Sequence, residues 1–308
     1  MDRAIPWTAV VNPAAGRGRT RRLLPRLVDA LAASGLDVDV HVTSSGADGL
    51  ALAEEAHRAG RGVVACGGDG TVSQLAGLAA ETGGLLGIVP SGSGNDFARH
   101  VGLDHRRPLD AVRVLREGRV GLADLGRANG TWFASVAGTG FDAEANRWAN
   151  GVDRVSGTTL YVLAVLRTLA TYRPQQFHIT VDGAAPREVE GWLVNVANGS
   201  SYGGGMRIAP GARVDDGLLD VVVVGPVSRL DFLRTFPKVF RGRHVEHPLV
   251  EVHRGRHVSV AALDPSSPLE LYASGERIGP LPAELEAVPS AVRVVVPPEA
   301  PVRWPEGG

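Results

Sequence analysis

Along the first third of the chain, short unbroken apolar runs alternate with stretches whose apolar positions recur every three or four residues. WTAVV (7–11), GVVAC (62–66) and LLGIVP (85–90) have strand length, and VDVHVT (38–43) alternates apolar and polar positions. Between them RRLLPRLVDALAAS (21–34), ADGLALAEEAHRAG (47–60) and TVSQLAGLAAE (71–81) carry helical spacing, with Gly35 and Gly60 as stops. NDFARHVGL (95–103) opens a further helix with Asn95 as its N-cap. This alternation predicts a parallel sheet covered by crossover helices, with ligands beyond the carboxyl ends of the strands.

From about residue 120 the texture changes. VGLADLG, TWFASVAG, QFHITVDG, EVEGWLVNVAN, LLDVVVVG, HVSVAAL and LELYASG are short strand-like runs bounded by glycine and turn residues. They predict a mostly antiparallel β domain. Two helical segments interrupt it, TTLYVLAVLRTLATY (158–172) and RLDFLRTFPKVFRG (229–242). AVRVVVP (291–297) is a last strand, a candidate to rejoin the first domain, and PEAPVRWPEGG (298–308) reads as irregular. The expected division is an α/β domain over 1–122, completed by 291–308, and a β domain over 123–290.

Charge and composition narrow the chemistry. Lys and Arg number 32 against 33 Asp and Glu, a formal net charge of −1, which argues against a strong nucleic-acid field. Cys66 is the single cysteine, so no internal disulfide forms, and its apolar neighbours mark it as core rather than nucleophile. No apolar stretch reaches membrane-spanning length and the N-terminus has no signal-peptide pattern; the expectation is a cytoplasmic protein, with peripheral membrane contact left open. Lys238 is the only lysine. That removes a Walker-type phosphate loop and leaves arginine, backbone N–H groups or a metal to hold any phosphate.

Three loops carry the candidate chemistry: NPAAGRGR (12–19), GGDGT (67–71) and PSGSGND (90–96). Each follows a strand and is rich in Gly, Ser, Asn or Asp. Glycines let backbone N–H groups approach phosphate oxygens, and helix N-termini add positive dipole at the same place. One such loop is a tight strand–helix turn; three at one sheet edge favour nucleotide phosphates. GRGRTR lacks the third glycine of a dinucleotide fingerprint.

VVNPAAGRG, GGDGTV, VPSGSGNDFAR, ADLGRANGTWFASVAGTGFDAE, NGSSYGGGMRIAPGARVDDGLLDVVVV and SGERIGPLP follow one another in an order that resembles the diacylglycerol kinase catalytic-domain family, the bacterial soluble lipid kinases in particular. GGDGT alone also occurs in NAD kinases and, in related form, in phosphofructokinases; SGNDFAR followed by the YGGG segment is more specific to lipid kinases. The resemblance implies an N-terminal Rossmann-like nucleotide-binding α/β domain and a C-terminal β-sandwich-like domain with helical insertions. It also implies an active site between the two and the use of ATP and Mg²⁺.

By the same resemblance Asn12, Pro13, Ala14, Ala15 and Gly16, together with Gly67, Gly68, Asp69, Gly70, Thr71, Val72 and Ser73, hold the ATP phosphates. Thr43 and Ser93 match further nucleotide contacts. Asp69 organises Mg²⁺ and the phosphate chain, which suits a transfer that needs charge neutralisation and alignment more than covalent chemistry. Asp96 and Asp124 are further candidate catalytic acids near the same edge, Asp96 equally readable as a helix cap and Asp124 as a turn acid before Gly126. Glu276 matches the family's general base, against a plain hairpin-turn reading. Asp216, with the carbonyls of Arg213 and Leu218, matches a structural divalent site of oxygen ligands.

Two positions depart from the family pattern. Ser274 stands where an Asp is usual, and Val72 is followed by Ser73-Gln74 rather than Asn-Glu. HVEH (244–247) lacks zinc-protease spacing and reads as loop. RTFPKVFRGRH (234–244) mixes basic and apolar residues and suits either a core-packed helix with a solvated basic face or transient contact with anionic headgroups. The leading expectation is an ATP-dependent kinase for a hydroxyl of diacylglycerol or a similar lipid. A sphingoid base, phosphatidylglycerol, a polyketide-like lipid or, more weakly, NAD remain alternative acceptors, and an inactive nucleotide- or lipid-binding regulator is the non-enzymatic rival. A homodimer is left open.

Overall fold

The computed structural model describes residues 5–150 and 157–305, apart from the side chains of 149–150 and 157–162. The last three residues of the tail expected to be irregular therefore lie outside the described residues. The chain divides into two compact units. The first comprises 1–125, 214–216 and 289–308, and the second 126–213 and 217–288.

In the first unit β1 (Trp7–Val11), β3 (Gly62–Gly67) and β4 (Leu85–Pro90) are buried along their whole length. Strands covered on both faces read as unbroken apolar runs, which is how they appear in the sequence. β2 (Val38–Val42) alternates and lies at the sheet edge, and the order is β2-β1-β3-β4, all parallel. The crossovers are α1 (Ala15–Ser34), α2 (Gly46–Arg58) and α3 (Asp69–Thr82), followed by α4 (Asp96–His100) and α5 (Asp110–Glu117). β5 (Arg119–Ala128) leads out of this unit, and Leu122 bridges Arg303 of the tail.

Several local expectations need correction. The third helix starts at Asp69, two residues earlier than its apolar spacing indicates. The helix expected over 95–103 is only α4. Asn95 is left-handed, φ 57°, and its side chain does not cap that helix; it bonds Gly92 instead. Helix α5 was not anticipated.

The second unit is antiparallel β. After β6 (Thr131–Phe133) and β7 (Val136–Gly140) come α6 (Phe141–Asn150) and α7 (Gly157–Thr171). Then follow β8 (Gln175–Val181), β9 (Arg187–Gly191), β10 (Leu193–Ala197), β11 (Leu219–Val224) and α8 (Arg229–Thr235). The chain ends with β12 (Val250–Gly255), β13 (His257–Ala262), β14 (Glu270–Ala273), β15 (Glu276–Pro280) and β16 (Ala283–Val296). One sheet runs β12-β11-β10-β7-β14-β15; facing it, β13 pairs with β8 and with the first half of β16. Val194, Val196, Leu219, Val221 and Leu271 from one sheet meet Phe177, Ile179, Val258 and Leu285 from the other, a sandwich core. The second half of β16 lies in the first unit, parallel to β4 through Arg293 and Val294.

The expected α/β and β-sandwich-like architecture is thus present. The helical segment 229–242 breaks after Thr235 into a 3-10 helix, Phe236–Arg241, where Pro237 has no N–H for a continuing α-helix. HVEH is not plain loop: Arg243–Glu246 forms a second 3-10 turn that buries His244. Helix α6 also escaped the sequence reading.

Candidate active site

The first unit brings the three glycine-rich loops together. Asn12 follows β1, and its N–H donates to the carbonyl of Cys66 at the end of β3 (3.0 Å). Its Oδ1 accepts from the Ala14 N–H (3.1 Å), and its Nδ2 donates to Thr71 Oγ1 (3.0 Å). The first loop is thereby tied to the second. Gly16, Arg17 and Gly18 then adopt three successive left-handed conformations before the regular part of α1 begins. A non-glycine residue held in such a run, here Arg17, is strained.

The second and third loops are braced by backbone. The N–H groups of Ser91 and Gly92 both donate to the carbonyl of Gly67 at 3.0 Å. A Cβ at Gly92 would lie inside 3 Å of the Gly68 backbone, so this approach requires glycine. The Asn95 carboxamide clamps Gly92, accepting from its N–H and donating to its carbonyl, each at 2.9 Å. Thr20 of α1 reaches Ser91, hydroxyl to hydroxyl at 2.7 Å, and closes the triangle of loops.

Asp69 stands at the junction, as the first residue of α3. Its Oδ2 accepts from the Asn95 N–H (2.8 Å) and its Oδ1 from the Asp96 N–H (2.6 Å). Burial, and next the neighbouring Asp96 carboxylate, push its pKa up to about 6; the two backbone donors and Arg99 pull the other way. Asp96 is buried and accepts from Arg99 Nη1 (2.9 Å). His100, on the same helix, is pushed down to about 4 by burial and is neutral at pH 7. A carboxylate disfavoured by burial and like charge gains by meeting a cation.

The remaining expected nucleotide residues divide by exposure. Pro13, Ala14, Ala15, Gly16, Gly68, Gly70, Thr71 and Ser93 are at least partly exposed, whereas Gly67, Val72, Ser73 and Thr43 are buried. Thr43 gives its hydroxyl to the carbonyl of Val11 (3.2 Å). Val72 packs as core. Cys66 is also core, its thiol pushed up to about 12 by burial.

These residues fit a magnesium–nucleotide group. The N-terminus of α3 has no side-chain cap, so its first N–H groups suit phosphate oxygens, and the Gly16 N–H of the first loop joins them. Among the described residues no three His, Cys, Asp or Glu side chains cluster to hold a metal by themselves. Magnesium held by one or two carboxylates and by phosphates needs no such cluster.

Asp124, on β5, is fully buried and holds chain together. Its Oδ1 accepts from the Ser290 N–H (2.6 Å), and its own N–H donates to the carbonyl of Val214 (2.7 Å). In the loop that follows, Arg213 is exposed, Asp216 and Leu218 are partly exposed, and the Asp215 carbonyl accepts from Arg303 (2.9 Å).

In the second unit Glu276 is exposed and opens β15, cross-strand from Ala273. The two residues of the hairpin loop, Ser274 (φ 52°) and Gly275 (φ 82°), are both left-handed. A two-residue loop of this hand favours Asn-Gly or Asp-Gly. Position 274 is therefore a turn position, which Ser274 fills here. The structure adds Asn95, Ser91 and Thr20 to the residues that shape the loops. Asn95 was legible as a polar residue before a helix, but its partner Gly92 was not.

The model of the diacylglycerol kinase catalytic domain matches residues 6–128, and that of the YegS C-terminal NAD kinase beta sandwich-like domain matches 135–296. A diacylglycerol kinase of Mycobacterium tuberculosis strain H37Rv is 37% identical over 296 residues, covering 94% of each chain. One of Bacillus subtilis strain 168 is 28% identical over 295 residues, covering 94% of this chain and 96% of its own. The crystal structure of a diacylglycerol kinase from Bacillus anthracis superposes with a TM-score of 0.73 at 23% identity over 95% of this chain and 97% of that one, a likeness of fold. With its loops, its sandwich and these relatives taken together, the chain belongs to the diacylglycerol kinase catalytic-domain family.

Proposed function

We propose that the chain is an ATP- and Mg²⁺-dependent lipid kinase that phosphorylates a hydroxyl of diacylglycerol or a related lipid. The observation that carries this reading is Asp69: a carboxylate with a raised pKa, fixed by two backbone N–H groups where three mutually braced loops meet. The names of the relatives support the lipid acceptor.

When bound, magnesium neutralises the charge that gathers on the transferring phosphoryl oxygens. The chain's residues do the rest. The Gly16 N–H of the first loop and the N–H groups at the start of α3 receive phosphate oxygens, with Pro13, Ala14, Ala15, Gly16, Gly68, Gly70 and Thr71 leaving backbone accessible. Asp69, steadied by Asn95 and Asp96, holds the cation side. Arg99 keeps Asp96 in place. Glu276 is the proposed base that accepts the proton of the attacking lipid hydroxyl, a role worth about 10²–10⁴-fold. Asp216, with the carbonyls of Arg213 and Leu218, is proposed as a separate structural divalent site.

No helix among the described residues is long and apolar enough to cross a membrane. Transient contact with an anionic bilayer from the cytoplasmic side is supported by Lys238, Arg234, Arg241 and Arg243 beside the exposed Leu230, Leu233 and Phe240. The test of the reading is incubation of the purified protein with Mg²⁺, ATP and micellar lipids, with products identified by mass spectrometry. Phosphatidic acid from diacylglycerol supports it. ATP bound but no lipid phosphorylated would favour the inactive regulator.

A further inference from the structure

The second unit holds a narrow apolar pocket on the outer face of the β12-β11-β10-β7-β14-β15 sheet. Leu193, Val224, Phe141, Val165, Phe232 and Met206 are among its walls. Its open space, about 60 Å³, has room for roughly four water-sized groups, enough for an ester and a methylene or two. The same elements α7 and α8, with the 3-10 helix after them, also expose Leu163, Leu166, Leu230, Leu233 and Phe240.

Asp142, Tyr202 and His244 interrupt this apolar lining, and Asn195 lies buried beneath it. Side chains alternate along β10: Val194 and Val196 face the sandwich core, while Leu193 faces the pocket, which puts Asn195 on the pocket's side of the sheet. Asn195 is fully buried, and neither its Oδ1 nor its Nδ2 has a protein partner. Opposite it in register is Gly138. A Cβ there would fall inside 3 Å of both Asn195 Oδ1 and Asp142 Oδ2, so the absent side chain leaves the carboxamide and the carboxylate facing one small space. Asp142 lines the pocket and its Oδ1 already accepts from the Tyr202 hydroxyl (2.9 Å). His244, also in the lining, is bonded through Nε2 to the carbonyl of Ile208 (2.9 Å), and burial keeps it neutral, with Nδ1 left as an unpartnered acceptor.

Buried polar groups are nearly always paired, so an amide with both ends unpaired needs a partner, either a ligand group or an internal water. The lining contains no Lys or Arg among the described residues, so the pocket holds no permanent cation for a phosphate or carboxylate. A cationic amine would satisfy Asp142 and Asn195 Oδ1 but leave the Nδ2 donor idle. An acylglycerol can meet both ends: its ester carbonyl accepts from Nδ2, a glycerol hydroxyl donates to Oδ1, and the adjoining methylenes enter the apolar slot. Resting on the lipid-kinase reading, we propose that Asn195 is a specificity-determining residue that reads the ester carbonyl of an uncharged acylglycerol, with Asp142 and Tyr202 beside it.

Binding of 1,2-dioctanoylglycerol and of its ether counterpart, 1,2-di-O-octylglycerol, is compared by calorimetry without ATP on the full chain and on Asn195→Leu. The full chain is expected to bind the ester about ten-fold tighter, the worth of one buried hydrogen bond. Asn195→Leu is expected to bind both alike and to melt no lower than the parent, since it removes an unpaired polar group. Equal binding of ester and ether by the parent overturns the proposal, as does a preference that survives in Asn195→Leu, which would mean that Asn195 is satisfied by internal water. Should the variant not fold, the ester–ether comparison on the parent decides alone. Turnover with ATP is measured separately: selective ester binding without phosphorylation sinks the kinase reading and leaves this one standing, and phosphorylation without selectivity does the reverse.

Discussion

At the residue scale Asp69 couples the local fold to the proposed chemistry. Its ordinary value is 3.8 and burial with Asp96 raises it to about 6. Between those pH values the folded chain keeps a proton that the unfolded chain has released. The group therefore adds stability as pH falls from about 6 toward 4, and its ionisation costs stability above that window. If ionised Asp69 holds the cation, kcat/KM falls on the acid side with an apparent pKa near 6; a profile flat to pH 5 would speak against it. Asp69→Asn keeps the fold but loses turnover by at least about a hundredfold at saturating Mg²⁺. Normal turnover in that variant removes Asp69 from the mechanism. Ser274 gives a second prediction. Its left-handed φ of 52° suits Asn better than Ser, so Ser274→Asn raises stability by about 0.5 kcal/mol in urea unfolding. An unchanged or lower midpoint would mean that the turn is not strained.

At the scale of elements, the braced loops depend on close backbone approach. Gly92→Ala puts a methyl group against Gly68, where only backbone can yield. The variant should lose about 2–3 kcal/mol of stability and bind ATP at least about ten-fold more weakly, by denaturation and calorimetry on one preparation. Equal ATP affinity would show that the loops do not bind as a unit. The parallel core was legible because β1, β3 and β4 are buried on both faces and so read as unbroken apolar runs. Helices α5 and α6 were not, although Asp110, Asp142 and Glu144 supply acidic first turns, because both lie in stretches to which the apolar spacing gave no element. The loops' glycines were visible in the sequence. The specific pairings, Asn12 with Thr71 and Asn95 with Gly92, join residues that only the folded backbone brings into register.

At the scale of the molecule, the chain passes between its two units four times, after Leu125, Arg213, Asp216 and Val288. The three-residue visit of 214–216 to the first unit could not be read from hydropathy, since DDGLLD looks like any turn before a strand. If Asp216 holds a structural divalent ion, added Mg²⁺ without nucleotide raises the melting temperature of the parent, and Asp216→Ala abolishes that increase. Identical melting with magnesium and with chelator would leave 213–218 a plain turn. The claim on which all of this rests is that the chain transfers phosphate from ATP to a lipid hydroxyl, and Glu276 tests it most directly. Mass spectrometry of lipid products is compared for the parent and Glu276→Gln under Mg²⁺, ATP and diacylglycerol micelles, with ATP affinity measured alongside. The account predicts phosphatidic acid from the parent, a loss of about 10²-fold or more in the variant and unchanged ATP binding. Turnover within a few-fold of the parent, or no phosphorylated lipid from either protein, would contradict it.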